Sequence, residues 1–167
     1  MPQITILSHQ EIEHKVIRIA YQIYETFVDE EEIIIAGIAK NGYVFAEKLA
    51  KELSKIASLK IVLCEVFIDK NDPFQPITTS ISKNDYQNKG LILVDDVLNS
   101  GKTLAYGLGV FLNTPHKKIR TVVLVDRSHK IFPIATDFVG LELATVLKEH
   151  VDVIMDVEGE EDRVYLS

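Results

Sequence analysis

Residues 91–104, LILVDDVLNSGKTL, carry the strongest structural pattern in the chain. Its first four residues are apolar, which is typical of a strand buried on both faces, as in a parallel sheet. Two adjacent carboxylates then end the predicted strand, and a short polar turn with one glycine leads into a helix that begins near Thr103. The sequence therefore predicts a strand, a turn and a helix in succession, the repeating unit of an α/β fold.

The turn of this unit offers a place for a phosphate at the start of the helix. Free backbone N–H groups and the hydroxyls of Ser100 and Thr103 lie there, and a helix N-terminus favours negative charge. Asp95 and Asp96 stand at the carboxyl end of the strand, where open α/β sheets bind their ligands. Carboxylates accept hydrogen bonds from sugar hydroxyls or bind a divalent cation. The predicted ligand has a phosphate at one end and hydroxyls or a metal ion at the other.

The residues Gly101-Lys102-Thr103 also look like the end of a nucleoside-triphosphate P-loop. That motif requires a glycine five residues before Gly101, where this chain has Asp96. A carboxylate at that place repels the phosphates, so the P-loop interpretation is rejected. A purely structural interpretation, two solvated aspartates before a capped helix, stays open beside the ligand-binding one.

Residues 91–104 closely resemble the 5-phosphoribosyl 1-diphosphate (PRPP) signature of the type I phosphoribosyltransferases. The shared pattern is a hydrophobic run, two acidic residues, two apolar residues and a short turn to Gly-Lys-Thr. A second stretch, VLVDRSHK at 123–130 followed by Pro133-Ile134 and DFVG at 137–140, is most similar to one branch of that family, the attenuators of bacterial pyrimidine operons. The similarity runs from about Ile12 to Gly140, with little match beyond.

The resemblance implies transfer of ribose 5-phosphate from PRPP to a nucleobase, with release of diphosphate and with Mg2+ as cofactor. Asp95 and Asp96 would then meet the ribose hydroxyls and the Mg2+. It also implies that the Ala39–Lys40 peptide is cis. The remaining assigned residues are Asn99, Ser100, Gly101, Lys102 and Thr103 for the 5-phosphate, Lys40, Asn41 and Gly42 for the diphosphate, and Asp126, Arg127, Phe138 and Val139 for the base.

Two departures from the family patterns bear on the substrate and the lid. Purine-transferring relatives carry an aspartate two residues before the motif glycine, where this chain has Asn99. Because an amide cannot act as a general base near neutral pH, a pyrimidine such as uracil is favoured. The long polar segment 69–89 is expected to be a lid. It lacks the arginine-containing pattern of the attenuators, for which Asp69, Lys70 and Asp72 are a partial substitute.

The whole chain is predicted to be one α/β domain, residues 1–167, with a doubly wound, mostly parallel five-stranded sheet and flanking helices. Ser8 and Glu11 predict a capping box for the first helix. A small hood is expected from a loop over residues 127–142 and from the C-terminal tail. Strands are predicted at 33–38, 60–68, 91–95, 121–125 and 151–155, and helices follow the first and third of them at 43–56 and 103–113.

Composition restricts the cell compartment and the partners. No apolar run approaches the ~20 residues of a membrane span, and no secretory signal is visible. The single cysteine, Cys64, excludes an internal disulfide, and a cytoplasmic location is expected. The net charge of −7 comes from two acidic runs, 29–32 and 156–163, and the rest of the chain is nearly neutral. RNA is therefore a possible partner, and the resemblance implies a homodimer or a higher homo-oligomer.

Two other classes of function stay open. One is a binding module that senses nucleotides and binds RNA, with weak or no catalysis. The other is a phosphoribosyl pocket that acts on an unrelated small acceptor. Hydrolase chemistry has little support, because no nucleophile-elbow glycine pattern surrounds any serine.

Overall fold

The computed structural model describes residues 2–146 and 148–167, and β5, the strand that contains Asp95 and Asp96, lies at the centre of its larger sheet. The elements in chain order are β1 (Ile4–Leu7), α1 (His9–Thr26), β2 (Glu32–Ile38), α2 (Asn41–Ile56), β3 (Lys60–Phe67), β4 (Thr78–Thr79), α3 (Lys83–Tyr86), β5 (Gly90–Leu98), α4 (Lys102–Phe111), β6 (Lys118–Asp126), β7 (Phe138–Glu142), β8 (Val151–Ile154) and β9 (Arg163–Leu166).

The larger sheet has six strands in the order β4-β3-β2-β5-β6-β7, and every pair is parallel except β3 with β4. Helices cover both of its faces. Along β5, Ile92 and Val94 pack into the core shared with α1 and α2, whereas Leu91 and Leu93 pack into the core shared with α4. The predicted doubly wound α/β fold is therefore confirmed, and the apolar run is buried on both faces because helices lie on both sides.

The strand β5 continues beyond the two carboxylates, which were predicted to end it. Its ladder with β6 runs on through the pairs Asp95 with Val123 and Leu98 with Asp126. The turn is therefore short, because α4 begins at Lys102. Asp95 and Asp96 lie inside the sheet rather than in a loop, which fixes their backbone.

A loop was predicted over residues 127–142, as part of the hood, and that prediction is wrong for its last five residues. Phe138–Glu142 form β7, which adds to the large sheet in parallel beside β6. A Cβ atom on Gly140 would lie 2.4 Å from the carbonyl oxygen of Leu124, so the absence of a side chain allows this close pairing.

The C-terminal part of the chain builds a second, three-stranded antiparallel sheet in the order β1-β9-β8. The predicted strand 151–155 is present as β8, yet it belongs to this small sheet and not to the parallel one. Residues 143–150 separate it from β7, and a parallel neighbour needs a crossover of about a dozen residues or more. Connection length alone therefore excludes the predicted placement.

The capping box predicted for the first helix is present, and the long polar segment contains little regular secondary structure. Ser8 accepts a hydrogen bond from the backbone of Glu11, and the Glu11 carboxylate accepts one in return, which confirms the capping box. Residues 68–89 hold only the two-residue β4 and the one-turn α3. None of the helices in the described part of the chain has the length and hydropathy of a membrane span.

Candidate active site

A cleft of about 180 Å3 opens at the carboxyl end of β5. One wall is the continuous stretch from Asp95 to Leu104, which contains the carboxylate pair, the turn and the start of α4. Lys70, from the segment between β3 and β4, and Val151, from the small sheet, complete the lining. Asp95, Asp96 and residues 99–103 of this wall are predicted site residues, whereas Val97, Leu98 and Leu104 were not named as such. Val151 was missed, because only the folded chain brings β8 to this edge.

The two carboxylates at the floor of the cleft are buried and held by the backbone. The exposed fractions of Asp95 and Asp96 are 2% and 9%. Asp95 Oδ1 accepts a hydrogen bond from the Asp96 N–H at 2.9 Å, and Asp96 Oδ1 accepts one from the Val97 N–H at 2.9 Å. Burial and the neighbouring Asp96 charge raise the pKa of Asp95 to about 8, although Lys70 opposes this shift.

Lys70 is the cation that meets this pair. Its Nζ lies 3.2 Å from Asp95 Oδ1 and 3.7 Å from Asp96 Oδ1. Burial lowers the pKa of Lys70, but the two carboxylates more than offset this effect and leave the pKa above its ordinary value. Oxygen-only donors that already attract a cation suit Mg2+, which binds through one or two carboxylates plus substrate phosphates. The residues present therefore fit the implied metal.

The conformation of the turn between β5 and α4 depends on its glycine and on hydrogen bonds from residues outside the turn. Gly101 has a φ of 85°, a left-handed conformation, and a Cβ atom there would lie 2.5 Å from Ile134 Cγ2. The carbonyl oxygen of Ser100 accepts hydrogen bonds from the N–H groups of Ile131 and Phe132 at 2.8 and 3.0 Å. The Lys102 N–H donates to Ser100 Oγ at 3.3 Å, and the N–H groups of the first turn of a helix lack intrahelical partners, which suits an anion.

The second predicted turn, after β2, lies beside the same carboxylates. The Ala39–Lys40 peptide is cis, as the family resemblance implies. A Cβ atom on Gly42 would lie 2.9 Å from the Val94 carbonyl oxygen and 3.1 Å from Asp95 Oδ1, so the start of α2 packs directly behind Asp95. Lys40 is exposed, whereas the Asn41 amide donates to the Val153 carbonyl oxygen at 3.1 Å and so ties α2 to the small sheet.

The guanidinium of Arg127, a predicted base contact, is engaged by protein groups in this structure. The side chain is buried, and each guanidinium nitrogen donates to a protein group. Nη1 donates to Asn99 Oδ1 at 2.9 Å, and Nε donates to Thr145 Oγ1 at 3.0 Å. Nη2 donates to the carbonyl oxygens of Val146 and Glu149. Arg127 therefore links the phosphate turn to the connection that leads to β8.

The other predicted base contacts also lie outside the cleft. Phe138 and Val139 begin β7 and pair with Val122 and Val123, in the middle of the sheet rather than at its carboxyl edge. Both side chains pack against the two cores. Asp126 does end β6 at the correct edge, but it faces a separate hollow and accepts a hydrogen bond from the Ser128 N–H. Apolar residues after a loop can indicate packing in a sheet as well as stacking on a base. Here Phe138 and Val139 pack in the sheet.

Comparison with known proteins supports the family resemblance from which the site residues were predicted. The family model described as the phosphoribosyl transferase domain matches residues 3–158, so the similarity extends beyond Gly140, where the sequence prediction placed its end. A protein named bifunctional protein PyrR from Haemophilus ducreyi is 33% identical over 89% of this chain and 87% of its own length. The PyrR protein of Pediococcus pentosaceus is 31% identical over 97% of both chains.

Solved structures show the same fold at lower identity. A hypoxanthine-guanine phosphoribosyltransferase from Bacillus anthracis superposes with a TM-score of 0.77 at 19% identity, covering 98% of this chain and 97% of its own. The hypoxanthine phosphoribosyltransferase of Trypanosoma cruzi gives a TM-score of 0.74 at 15% identity, covering 96% and 94%. The extent of the family match and the identity to the PyrR proteins together show that the chain belongs to the phosphoribosyltransferase family.

Proposed function

We propose that the protein transfers ribose 5-phosphate from PRPP to a nucleobase and releases diphosphate, with a pyrimidine such as uracil as the favoured acceptor. One observation carries the proposal: a buried carboxylate pair and a helix N-terminus, joined by one short turn, line a single cleft. This arrangement suits a ligand whose hydroxyls and phosphate are separated by the length of a ribose. The coarser statement, a PRPP-dependent transferase, is the common activity of the family.

The reaction breaks the bond between ribose C1 and a diphosphate oxygen and forms a bond between C1 and a ring nitrogen of the base. The proton of that nitrogen is released. Because the sugar becomes oxocarbenium-like, no covalent nucleophile is needed, and catalysis rests on positioning, charge and exclusion of water. In our proposal, the turn from Asn99 to Thr103 holds the 5-phosphate, and Asp95 and Asp96 accept hydrogen bonds from the ribose hydroxyls.

The charged end of PRPP would meet two groups of the chain. Gly42 packs against Asp95, and Lys40, two residues earlier in the same turn, is exposed and would contact the diphosphate together with Asn41 and Gly42. Asp95 and Asp96 would hold Mg2+, directly or through water, and when bound the ion offsets the charge of the leaving diphosphate. Lys40 contributes a second positive charge to the same leaving group.

Asn99 supports a pyrimidine acceptor over a purine. Its Oδ1 accepts a hydrogen bond from Arg127 Nη1 at 2.9 Å, which orients the amide and leaves its two N–H donors for a ligand. A donor can orient a phosphate or a carbonyl oxygen, but it cannot take a proton from a base. Because Phe138 and Val139 lie in the sheet away from the cleft, our proposal adds Val151, which lines the cleft, as a contact for the base.

The decisive test is diphosphate release from PRPP with Mg2+ in the presence of uracil, orotate, hypoxanthine, guanine, adenine or xanthine in turn. We expect turnover with one pyrimidine and its loss, by about a thousandfold, in the double variant Asp95→Asn/Asp96→Asn. Circular dichroism shows whether that variant is folded. Turnover with a purine alone would refute the choice of base, and turnover that survives in the variant would refute the site.

We also propose a second function, regulation through RNA, because the curated relatives carry the name bifunctional. The near-neutral body of the chain permits a basic face, and phosphate contacts would dominate its affinity. Binding of a pyrimidine-operon leader RNA at two salt concentrations tests this proposal. Binding that weakens steeply with salt supports it, and no binding at low salt contradicts it. A cytoplasmic location and a homodimer or larger homo-oligomer stay predictions of the sequence.

A further inference from the structure

Residues 68–77 form an ordered cover over the cleft, between β3 and β4. Successive turns hold its shape: the Asp72 N–H donates to the Asp69 carbonyl oxygen at 3.1 Å, and the Gln75 N–H donates to the Asp72 carbonyl oxygen at 3.1 Å. Asp69 Oδ1 accepts from the Asn71 N–H at 2.9 Å. This segment, called the cover here, carries Lys70 at one end and Phe74 near its middle.

The cover touches the site at two points. Lys70 pairs with the carboxylates at one end of the cleft, as described above. At the other end, the Phe74 ring packs edge to face on Tyr106 of α4, with ring centroids 5.2 Å apart, and Lys102 Nζ lies 5.7 Å from the centre of the same ring. Phe74 is otherwise 75% exposed, so little else holds it. Both contacts therefore bridge the cover to residues of the cleft or to the helix that begins there.

We propose that Lys70 is a latch: its ammonium group occupies the carboxylates that ribose hydroxyls need, so the cover must release Asp95 and Asp96 before a sugar phosphate can bind. The inference rests on the proposed function for the identity of that ligand, but the ion pair itself does not. Asp95 is buried with its Oδ1 already accepting from Asp96 N–H and facing Lys70. A hydroxyl that approaches this oxygen competes directly with the ammonium group.

The ion pair between Lys70 and the two carboxylates is weak enough to be reversible. The Lys70 side chain is 42% exposed, and an ion pair with one partly solvated member contributes roughly 1 kcal/mol, about a fivefold change in population. A ligand that makes several hydrogen bonds can displace it. The apparent affinity then equals the intrinsic affinity multiplied by the fraction of molecules whose carboxylates are free.

Proteolysis of the ligand-free protein tests the latch without reference to any ligand. Trypsin needs a free lysine side chain, so pairing with Asp95 and Asp96 protects the Lys70–Asn71 bond. We expect Asp95→Asn/Asp96→Asn to speed cleavage at this bond about fivefold, because cleavage tracks the open population. Cleavage after Lys83, an exposed residue of α3, serves as the control and should not change. An unchanged rate at Lys70–Asn71 overturns the latch.

Binding of ribose 5-phosphate separates the latch from the proposed function. This probe has the hydroxyls and the phosphate but no diphosphate, so a diphosphate contact of Lys70 cannot contribute. Calorimetry should show Lys70→Met binding it about fivefold more tightly than the wild type, with Lys83→Met equal to the wild type. Equal affinity in all three proteins overturns the latch and leaves the site intact. Binding by none of them contradicts the proposed site, and the proteolysis result still decides the latch.

Discussion

The turns after β2 and after β5 sit side by side at one edge of the sheet, but they are held in different ways. The β5 turn, residues 99–103, is fixed by its own glycine conformation and by neighbours: Ser100 accepts two backbone hydrogen bonds, and Asn99 accepts one from buried Arg127. The β2 turn, residues 39–42, carries an exposed lysine and is tied to the small sheet through Asn41.

This difference in rigidity indicates which part of the ligand each turn would bind. A turn that is rigid before binding loses little conformational entropy when it holds a phosphate, so it favours tight and specific recognition. An exposed lysine at the end of a flexible stem suits a group that enters with the substrate and leaves as product. The β5 turn therefore fits the retained 5-phosphate, and the β2 turn fits the departing diphosphate.

Among single substitutions in the two turns, the largest effect is expected from Gly101→Ala. The new methyl group would meet Ile134 Cγ2 at 2.5 Å, and the φ of 85° disfavours any side chain. Because strain of about 2 kcal/mol would distort the β5 turn, affinity for both PRPP and ribose 5-phosphate should fall about thirtyfold. Calorimetry with both ligands measures this. Gly109→Ala, in open space on the same helix, is the control and should bind normally.

Lys40→Ala should separate the two turns. Loss of a charged partner of the diphosphate should weaken PRPP about tenfold and leave ribose 5-phosphate unchanged. The same pair of titrations shows the split. An equal loss for both ligands would mean that Lys40 acts on the whole site, and the distinction between the turns would then fail.

Asn41→Ala should have a smaller effect, through the small sheet. Removing the amide leaves the Val153 carbonyl oxygen without this donor, at a cost of about 1 kcal/mol, so the affinity for PRPP should fall about fivefold. Thermal unfolding of the variant gives the stability loss independently. Unchanged stability together with unchanged affinity would show that the tie to β8 does not position this turn.

The last prediction concerns the pH dependence of Asp95, which lies at the floor of the cleft beside both turns. The pKa of Asp95 rises from 3.8 to about 8, so the folded state holds this proton more tightly than the unfolded state. Its stabilising contribution is full below about pH 4 and is lost as the pH rises through about 8. The Tm of Asp95→Asn relative to that of the wild type should therefore rise between about pH 5 and pH 9. A Tm difference that shrinks with rising pH would contradict the assignment.

The sequence predicted the parts of the site that are local in the chain. The strand, turn and helix from Leu91 to Leu104 follow from hydrophobic pattern, one glycine and two acids, and the family resemblance supplied the Lys40 turn. Lys70 and Val151 could not be placed, because their positions depend on how the cover and the small sheet fold back. Phe138, a predicted base contact, lies in the sheet away from the cleft, and apolar residues next to a loop do not reveal whether they pack in a sheet or face a ligand.

The large sheet shows the same limit. Five parallel strands were expected, and five are present, but β7 takes the place that the sequence analysis gave to residues 151–155. Alternation and length identify a strand, whereas its partner depends on pairings distant in the sequence. The connection before Val151 is too short for a parallel crossover only because β7 ends at Glu142, and the sequence analysis had given those residues to a loop.

The central claim is that the cleft at the end of β5 binds the phosphoribosyl group through Asp95, Asp96 and the turn that follows. Calorimetric titration of the wild type and of Asp95→Asn/Asp96→Asn with PRPP and Mg2+ tests it most directly. We predict one PRPP bound per chain in the wild type and a loss of affinity of at least about a hundredfold in the variant, from two charge-assisted contacts. Equal affinity in the two proteins, or no binding by the wild type, would contradict the account.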